Sequence, residues 1–354
     1  MPVELLGKSA EELRELLVSL GEPAYRGPQI YRAIYSERRF DFAAMTNLPA
    51  ALRARFAQEA RITLPRVVRR FASVDGSIRY LLSIGGENEK PAQIEAVFMP
   101  RDGRQTICIS TQAGCAVDCH FCLTAQLGLI RNLTAGEIVG QVLVALEENR
   151  ENLAPQTNIV LMGQGEPLLN YDATMAAVRI LLDPKGLGLA PRHVTISTSG
   201  VVPGIERLGQ EKIRPRLAIS LNASNDEQRD ALMPINRKYP LAVLLDTCRR
   251  YPLGPREYVT MEYVLLGGVN DTPEDARRVV RLLSHFRTKV NLIPWNPGNL
   301  PYRSPTPESI EAFKNVLLEK GVPAFVRYSR GQDVFAACGQ LALIETSKSL
   351  VELQ

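Results

Sequence analysis

From residue 105 onward the chain repeats one pattern six times: a short run of apolar and β-branched residues, a polar turn, then a stretch with helical spacing. The runs are QTICIS (105–110), NIVLMG (158–163), HVTIST (193–198), RLAISLN (216–222), YVTMEYVLL (258–266) and KVNLIPW (289–295). Helical patterns follow from Thr134, over 171–183, 203–209 and 241–251, and in TPEDARRVVRLLSHF and TPESIEAFKNVLLEKG. Strands that alternate with helices are joined by crossovers, which makes them parallel and covers both faces. The pattern therefore predicts an α/β sheet, either doubly wound or rolled into an incomplete barrel. Periodicity alone does not separate the two.

The first 63 residues read differently. Helices are expected over 9–18, 25–35 and 49–60, the first opening with Ser9 three residues before Glu12, a capping-box spacing. Residues 64–100 read as a small β extension, with DG and GG turns between β-branched runs. The expected organisation is a helical domain (1–63), the β extension (64–100), the α/β body (101–340) and a tail (341–354). With 45% hydrophobic and 23% charged residues, the chain is not disordered. A net charge of +4 is too mild to demand nucleic acid by itself. Arg53, Arg55, Arg61, Arg66, Arg69 and Arg70 do cluster, with Glu59 the one acid among them. Such a run reads first as a solvated face and second as a phosphate-contacting patch. No apolar run reaches the ~18 residues of a membrane span. The opening, MPVELLGKSAEELRELL, reads as an amphipathic helix and not as a secretory signal, so a cytoplasmic protein with no membrane partner is expected.

Three of the six cysteines, Cys115, Cys119 and Cys122, stand at C-x3-C-x2-C spacing in the loop after the first body strand. Three thiolates can hold three irons of a [4Fe–4S] cluster and leave the fourth open. The competing reading is structural zinc, which needs four ligands and could recruit Cys108, Cys338 or His120. Spacing and loop position favour iron–sulfur. After the second body strand comes Gly163-Gln164-Gly165-Glu166-Pro167, whose carboxylate sits at a strand end. Ser197, the stretch Ser220-Leu221-Asn222, and Asn296 end other strands. Singly, each reads as an ordinary cap or loop residue. Together, on parallel strands, they would converge on one rim and could bind a polar ligand of adenosine size. Taken alone, Cys108, Cys248 and Cys338 read as small core residues, and His193 and His285 as ordinary ones.

The combination resembles a known family. C-x3-C-x2-C with Phe121 before the last cysteine, followed by Gly-Glu-Pro, is similar to the radical S-adenosylmethionine (SAM) superfamily. The segments CISTQAGCAVDCHFC, MGQGEPLLN, VTISTSGVVP, SLNASNDEQRDALMPIN, NLIPWNP and RGQDVFAACGQL resemble the RlmN family, along nearly the whole chain. The resemblance implies a partial (β/α)6 TIM-like barrel with an N-terminal helical accessory domain and a small β extension. It implies methylation of C2 of an adenosine in 23S rRNA and, in some members, of the adenosine beside the tRNA anticodon. The cofactors would be one [4Fe–4S] cluster and SAM, and an external electron donor would be a partner. Cys115, Cys119 and Cys122 would be the cluster ligands. Gly165, Glu166, Ser197, Ser220, Leu221, Asn222 and Asn296 would bind SAM; Asn222 stands where some members carry His. Cys338 would become S-methylated, Cys108 would resolve the RNA adduct and leave a disulfide, and Glu95 would accept the C2 proton. Arg327 and Arg330 would reach phosphates near Cys338. Two alternatives stand beside this reading: a Cfr-type enzyme acting on C8, and a zinc-stabilised RNA-binding protein without catalysis.

Overall fold

The computed structural model describes residues 2–85 and 90–343. Ten strands form one sheet, and their order in space is their order in sequence. They are β1 (Arg66–Ala72), β2 (Ile78–Ile84), β3 (Ala92–Arg101), β4 (Arg104–Cys108), β5 (Gln156–Leu161), β6 (Val194–Thr198), β7 (Arg216–Ser220), β8 (Val259–Leu265), β9 (Thr288–Pro294) and β10 (Ala324–Val326). The first four pair antiparallel, as short hairpin turns dictate. From β4 to β10 every pair is parallel. The two edges, β1 and β10, do not pair with each other, so the parallel part is a partial barrel.

All six expected body strands are present. A seventh, β10, adds three residues to the open edge. Three residues are too few to display a period, which is why the pattern did not reveal it. The β extension is not a separate layer: β3 pairs directly with β4, with Val97 opposite Cys108. Of the expected tail 341–354, residues 344–354 lie outside the described residues.

The N-terminal helices are α1 (Ala10–Ser19), α2 (Arg26–Tyr35) and α3 (Ala50–Glu59). Ser9 and Glu12 make the reciprocal capping box that their spacing predicts. Leu13, Leu17, Ile30, Ile34 and Phe56 are fully buried between these helices. A two-residue parallel ladder, Val3–Glu4 with Ala60–Arg61, ties the ends of this unit together and escaped the sequence reading. A single turn, α4 (Leu123–Gln126), follows the cysteine motif. The crossovers then carry α5 (Ala135–Glu148), α6 (Tyr171–Leu182), α7 (Val202–Gly209), α8 (Asp226–Leu232), α9 (Leu241–Arg250), α10 (Pro273–Leu283) and α11 (Pro307–Glu319). A short separate hairpin, Gln112–Gly114 with Leu129–Asn132, brackets the cysteine loop.

The N-terminal unit docks on α5 through backbone contact. A Cβ at Gly136 would stand 2.7 Å from the Leu6 carbonyl oxygen, which is backbone and cannot swing away. Gly136→Ala should therefore lower unfolding free energy by about 1–3 kcal/mol, the usual cost of overpacking. Urea titration measures it; unchanged stability would mean that the two units do not meet along α5.

Candidate active site

Parallel strands deliver their C-terminal ends to one mouth of the barrel. A cavity there is lined by Cys115, Cys119, Cys122, Gly165, Glu166, Ser197, Ser220, Asn222, Asn296 and Cys338. Ten of the thirteen expected site residues are thus brought together. Leu221, Cys108 and Glu95 are not among them. The Leu221 side chain is fully buried in the main core, between Ser220 and Asn222, which do line the cavity.

The cysteine loop is folded by its own backbone and by apolar packing. Cys115 N–H donates to the Gly128 carbonyl at 3.0 Å, and Cys122 N–H to the Cys119 carbonyl at 3.0 Å. His120 N–H reaches the Leu232 carbonyl at the end of α8, and the Trp295 indole donates to the Phe121 carbonyl at 3.1 Å. Phe121, Leu232, Met233, Leu266 and Trp295 form a separate apolar cluster against Cys119 and Cys122. Burial pushes all three thiols up, Cys115 to about 12. They become thiolates when a bound cation compensates the charge. No three His, Cys, Asp or Glu side chains among the described residues group as a single bound ion requires. Three soft sulfurs set apart in an apolar recess suit a cluster better than one ion.

Gly165 and Glu166 are placed by a close approach. Gly165 has φ +97°, and a Cβ there would lie 2.5 Å from the Gln112 side chain and 2.7 Å from the Gln112 nitrogen. Only glycine lets this turn pack against the strand that leads to Cys115. Glu166 N–H donates to Gln112 Oε1 at 2.9 Å. Its buried carboxylate accepts from Leu168 N–H (3.0 Å), Ser199 N–H (2.7 Å) and Ser199 Oγ (2.8 Å). Burial raises it above the ordinary carboxylate range, and these donors partly offset that. Behind Ser199 lies Arg229 on α8, completely buried. It donates to the carbonyls of Ser199 (2.6 Å), Leu221 (3.2 Å) and Ser220 (3.2 Å) and to Asn236 Oδ1 (3.0 Å). One guanidinium therefore ties together the ends of β6 and β7, and its charge faces Cys119.

Cys338 sits on a loop bolted to three neighbours. Asn296 Nδ2 donates to the Cys338 carbonyl (3.1 Å) and to Ser329 Oγ (2.9 Å), while its Oδ1 accepts from Gln332. Leu123 N–H, just past Cys122, donates to the Gly339 carbonyl at 2.8 Å, and Thr124 Oγ1 to the Leu341 carbonyl at 2.6 Å. The β1–β2 turn supplies the third anchor. Asp75 accepts from Gly331 N–H and Arg330, and Asp333 accepts from Ser73 Oγ and Val74 N–H. Burial would raise Asp75, but the donors from Ser77, Gly331 and Arg330 outweigh it and hold the carboxyl well below its usual range. Cys338 is open to solvent inside the cavity, yet the surrounding protein and the Glu262 and Cys122 charges push its thiol up to about 11.

Cys108 is buried at the end of β4 and lines a neighbouring cavity that also contains Cys338. All six cysteines are free, so the structure holds both Cys108 and Cys338 as thiols, without the expected disulfide. Glu95 lies two residues before Val97 on β3, on the strand face that carries Cys108's neighbours. It is completely buried and ion-paired with Arg79. Leu343 N–H (3.1 Å) and Gln164 Nε2 (3.4 Å) also donate to it. Burial raises its pKa despite Arg79.

Sequence reasoning missed Arg229 and Glu262. Glu262, on β8, lines the same cavity as the three cysteines, accepts from Asn291 at 2.9 Å and is pushed up by burial to about 6. The available signal was an ionisable residue inside an apolar strand, TMEYV, which globular cores rarely keep without use. Of the arginine run, Arg55, Arg61 and Arg70 are paired with acids. Arg330 pairs with Asp75 and donates to the Pro100 carbonyl, contacts that tie the segment before Cys338 to the β1–β2 turn and to β3.

Comparison with known proteins agrees with this geometry. Residues 109–283 match the radical SAM superfamily model, and residues 3–62 match the ribosomal RNA large subunit methyltransferase N-terminal domain. An RlmN protein of Koribacter versatilis is 48% identical over 344 residues, covering 92% of this chain and 98% of the relative. The dual-specificity RNA methyltransferase RlmN of Geobacter sulfurreducens is 46% identical over 340 residues, covering 96% and 92%. A crystal structure of a radical SAM methyltransferase from Sphaerobacter thermophilus superposes with a TM-score of 0.90 at 45% identity, covering 96% of this chain and 99% of that one. A partial barrel with three cysteines at its mouth, preceded by this N-terminal domain, and near-complete alignment with such relatives lead to one conclusion: the chain belongs to the RlmN family of radical SAM methyltransferases.

Proposed function

We propose that the protein methylates C2 of an adenosine in 23S rRNA, and of an adenosine beside the tRNA anticodon, through a methyl group carried on Cys338. The observation that carries this reading is the position of Cys338. It lines both the cavity of Cys115, Cys119 and Cys122 and the cavity of Cys108. A methyl carrier must face its donor on one side and its resolving thiol on the other. The dual RNA specificity in the names of the relatives supports both substrates, and their RlmN identity favours C2 over C8. The zinc-stabilised binding protein loses its support, because the family acts by radical SAM chemistry.

Cys115, Cys119 and Cys122 would hold a [4Fe–4S] cluster through three irons. Gly165, Glu166, Ser197, Ser220, Asn222 and the backbone at Leu221 would surround SAM, with Glu166 against its ammonium group. When bound, cluster and SAM supply the methyl group and, on reductive cleavage of a second SAM, the fragment that removes one hydrogen from the S-methyl. Cys338 first takes the methyl as a nucleophile. Its thiol is raised, so a base must take the proton; Glu262, near 6, shares the cavity. The carbon on Cys338 then bonds to C2 of an unstacked adenosine. The adduct would give one electron back to the cluster held by Cys115, Cys119 and Cys122, which balances the electron spent on reductive cleavage, and Glu95 would receive the C2 proton. For that, the Leu343 peptide must lift from the Glu95 carboxylate. Cys108 attacks the Cys338 sulfur, the carbon–sulfur bond breaks with its electron pair going to the transferred carbon, and a proton completes the methyl. The resulting Cys108–Cys338 disulfide is reset by an external cytoplasmic reductant.

Three outcomes test this. Cys119→Ala should abolish iron loading and methylation, because three thiolates leave no spare ligand; iron and sulfide analysis of anaerobic protein checks it, and full loading would disprove the ligand set. Cys338→Ala should bind SAM yet transfer no methyl, whereas Cys108→Ala should stall as a covalent protein–RNA species on a denaturing gel. A Cys108→Ala enzyme that turns over without an adduct would remove Cys108 from the reaction. Asp75→Asn with Asp333→Asn should release the Cys338 loop: proteolysis near residue 331 should rise, and methylation should fall at least tenfold while reductive SAM cleavage continues. Coupled loss of both activities would mean that the turn supports the whole barrel and not the loop.

A further inference from the structure

The barrel has a second mouth, at the N-terminal ends of β6 to β10, away from the cysteines. Arg192, Arg214, Arg216, Arg256 and Lys289 line a cavity of about 450 Å³ there. The one acid in its wall is Glu257, which accepts from Gly254 N–H at 2.7 Å. None of the five cations makes an ion pair among the described residues. Arg214 donates only to the carbonyls of Glu211 (3.0 Å) and Pro252 (3.2 Å), and the other four side chains have no hydrogen-bond acceptor among the described residues. Burial, with Arg216 and Arg327 nearby, holds Lys289 below the ordinary lysine range. Like charges gathered in a concave wall repel one another and destabilise the fold. The N-terminal face of a barrel ordinarily serves stability.

The aromatic residues indicate which anion. Tyr258 and Phe325 stand at the same cavity, 48% and 46% exposed. Phe325 opens the run Phe325-Val326-Arg327-Tyr328-Ser329-Arg330, on and just beyond the edge strand β10. Arg327 and Tyr328 line the cavity of Cys108 and Cys338, and Tyr328 is 68% exposed. Among the described residues no strand pairs with β10 on its outer side. Alternating cations and exposed rings therefore lead from the second mouth, along the open edge, to Cys338. The neighbouring β9 is seven residues long, so the two mouths are roughly 23 Å apart. A few nucleotides span that distance. Stacking rings between cations are how proteins hold single-stranded nucleic acid without reading its sequence.

We propose that the second mouth is a phosphate-backbone site for the single-stranded segment flanking the target adenosine, held while that adenosine occupies the Cys338 mouth. The proposal rests on the RNA methyltransferase reading above. It is tested on the cluster-loaded enzyme with two transcripts built to present the 23S rRNA target adenosine in a hairpin loop, one with single-stranded flanks of the natural sequence and one without them. Arg192→Glu with Arg256→Glu, both exposed positions, should weaken binding of the flanked transcript at least tenfold at 0.1 M salt. The slope of log affinity against log salt should shrink by about two, one per lost phosphate contact. Arg192→Lys with Arg256→Lys should retain the affinity, and the trimmed hairpin should bind and be methylated equally by all three proteins. Equal affinity and slope for wild type and the charge-reversed variant overturn the proposal. Calorimetric binding of inorganic triphosphate that the reversal abolishes, with RNA affinity unchanged, also overturns it and leaves a small-anion site. Failure of the wild type to methylate either transcript defeats the RNA reading itself, and this proposal with it.

Discussion

Everything at the candidate active site depends on one constraint: seven consecutive strands, β4 to β10, run parallel and in sequence order. A parallel pair cannot be closed by a tight turn, so each connection must climb back over the sheet as a helix. The loops leaving the strands then all open at the same mouth. The cysteine loop follows β4, the Gly163–Pro167 turn follows β5, Ser197 and Ser220 end β6 and β7, and Asn296 follows β9. Residues separated by almost 200 positions meet because the register puts them at one height.

Holding that mouth in shape falls to a few buried polar groups. Arg229 binds the ends of β6 and β7 through four acceptors, and Ser199 in turn clamps Glu166. A buried charge with every donor satisfied contributes geometry more than net stability. Here that geometry is the spacing between the Glu166 carboxylate and the cysteine loop, with a positive charge set beside Cys119. The Cys338 loop is held differently, mostly by exposed or half-buried contacts to the β1–β2 turn and to Asn296, with one buried bond from Thr124 to the Leu341 carbonyl. Contacts of that kind open more readily than core packing. The proposed methyl transfer, in which the Cys338 thiol meets first one cavity and then the other, would draw on such an attachment.

The two mouths of the barrel carry opposite chemistry. The upper one is apolar and sulfur-lined, with buried carboxylates whose charge suits cationic groups. The lower one concentrates unpaired cations and exposed rings. The partial barrel connects them because, among the described residues, no strand pairs with the outer edge of β10, and Arg327 and Tyr328 follow directly at its end.

Much of this was legible in the amino-acid sequence. The six strand–helix alternations, the capping box at Ser9, and the cysteine and Gly-Glu-Pro motifs are local patterns, since backbone period and loop chemistry are set by near neighbours. What the sequence alone determined is the α/β class, the three-cysteine motif, the polar residues at the strand ends and the family resemblance. Only the tertiary structure decided that the β extension continues the sheet beside Cys108, that β10 exists, and that Leu221 faces the core. It also decided that Arg330 is spent on Asp75, that Glu262 and Arg229 stand at the site, and that five scattered cations share one cavity. Those facts depend on which distant residues become neighbours and how deeply each is buried. Both are properties of packing between elements, and no local period encodes them.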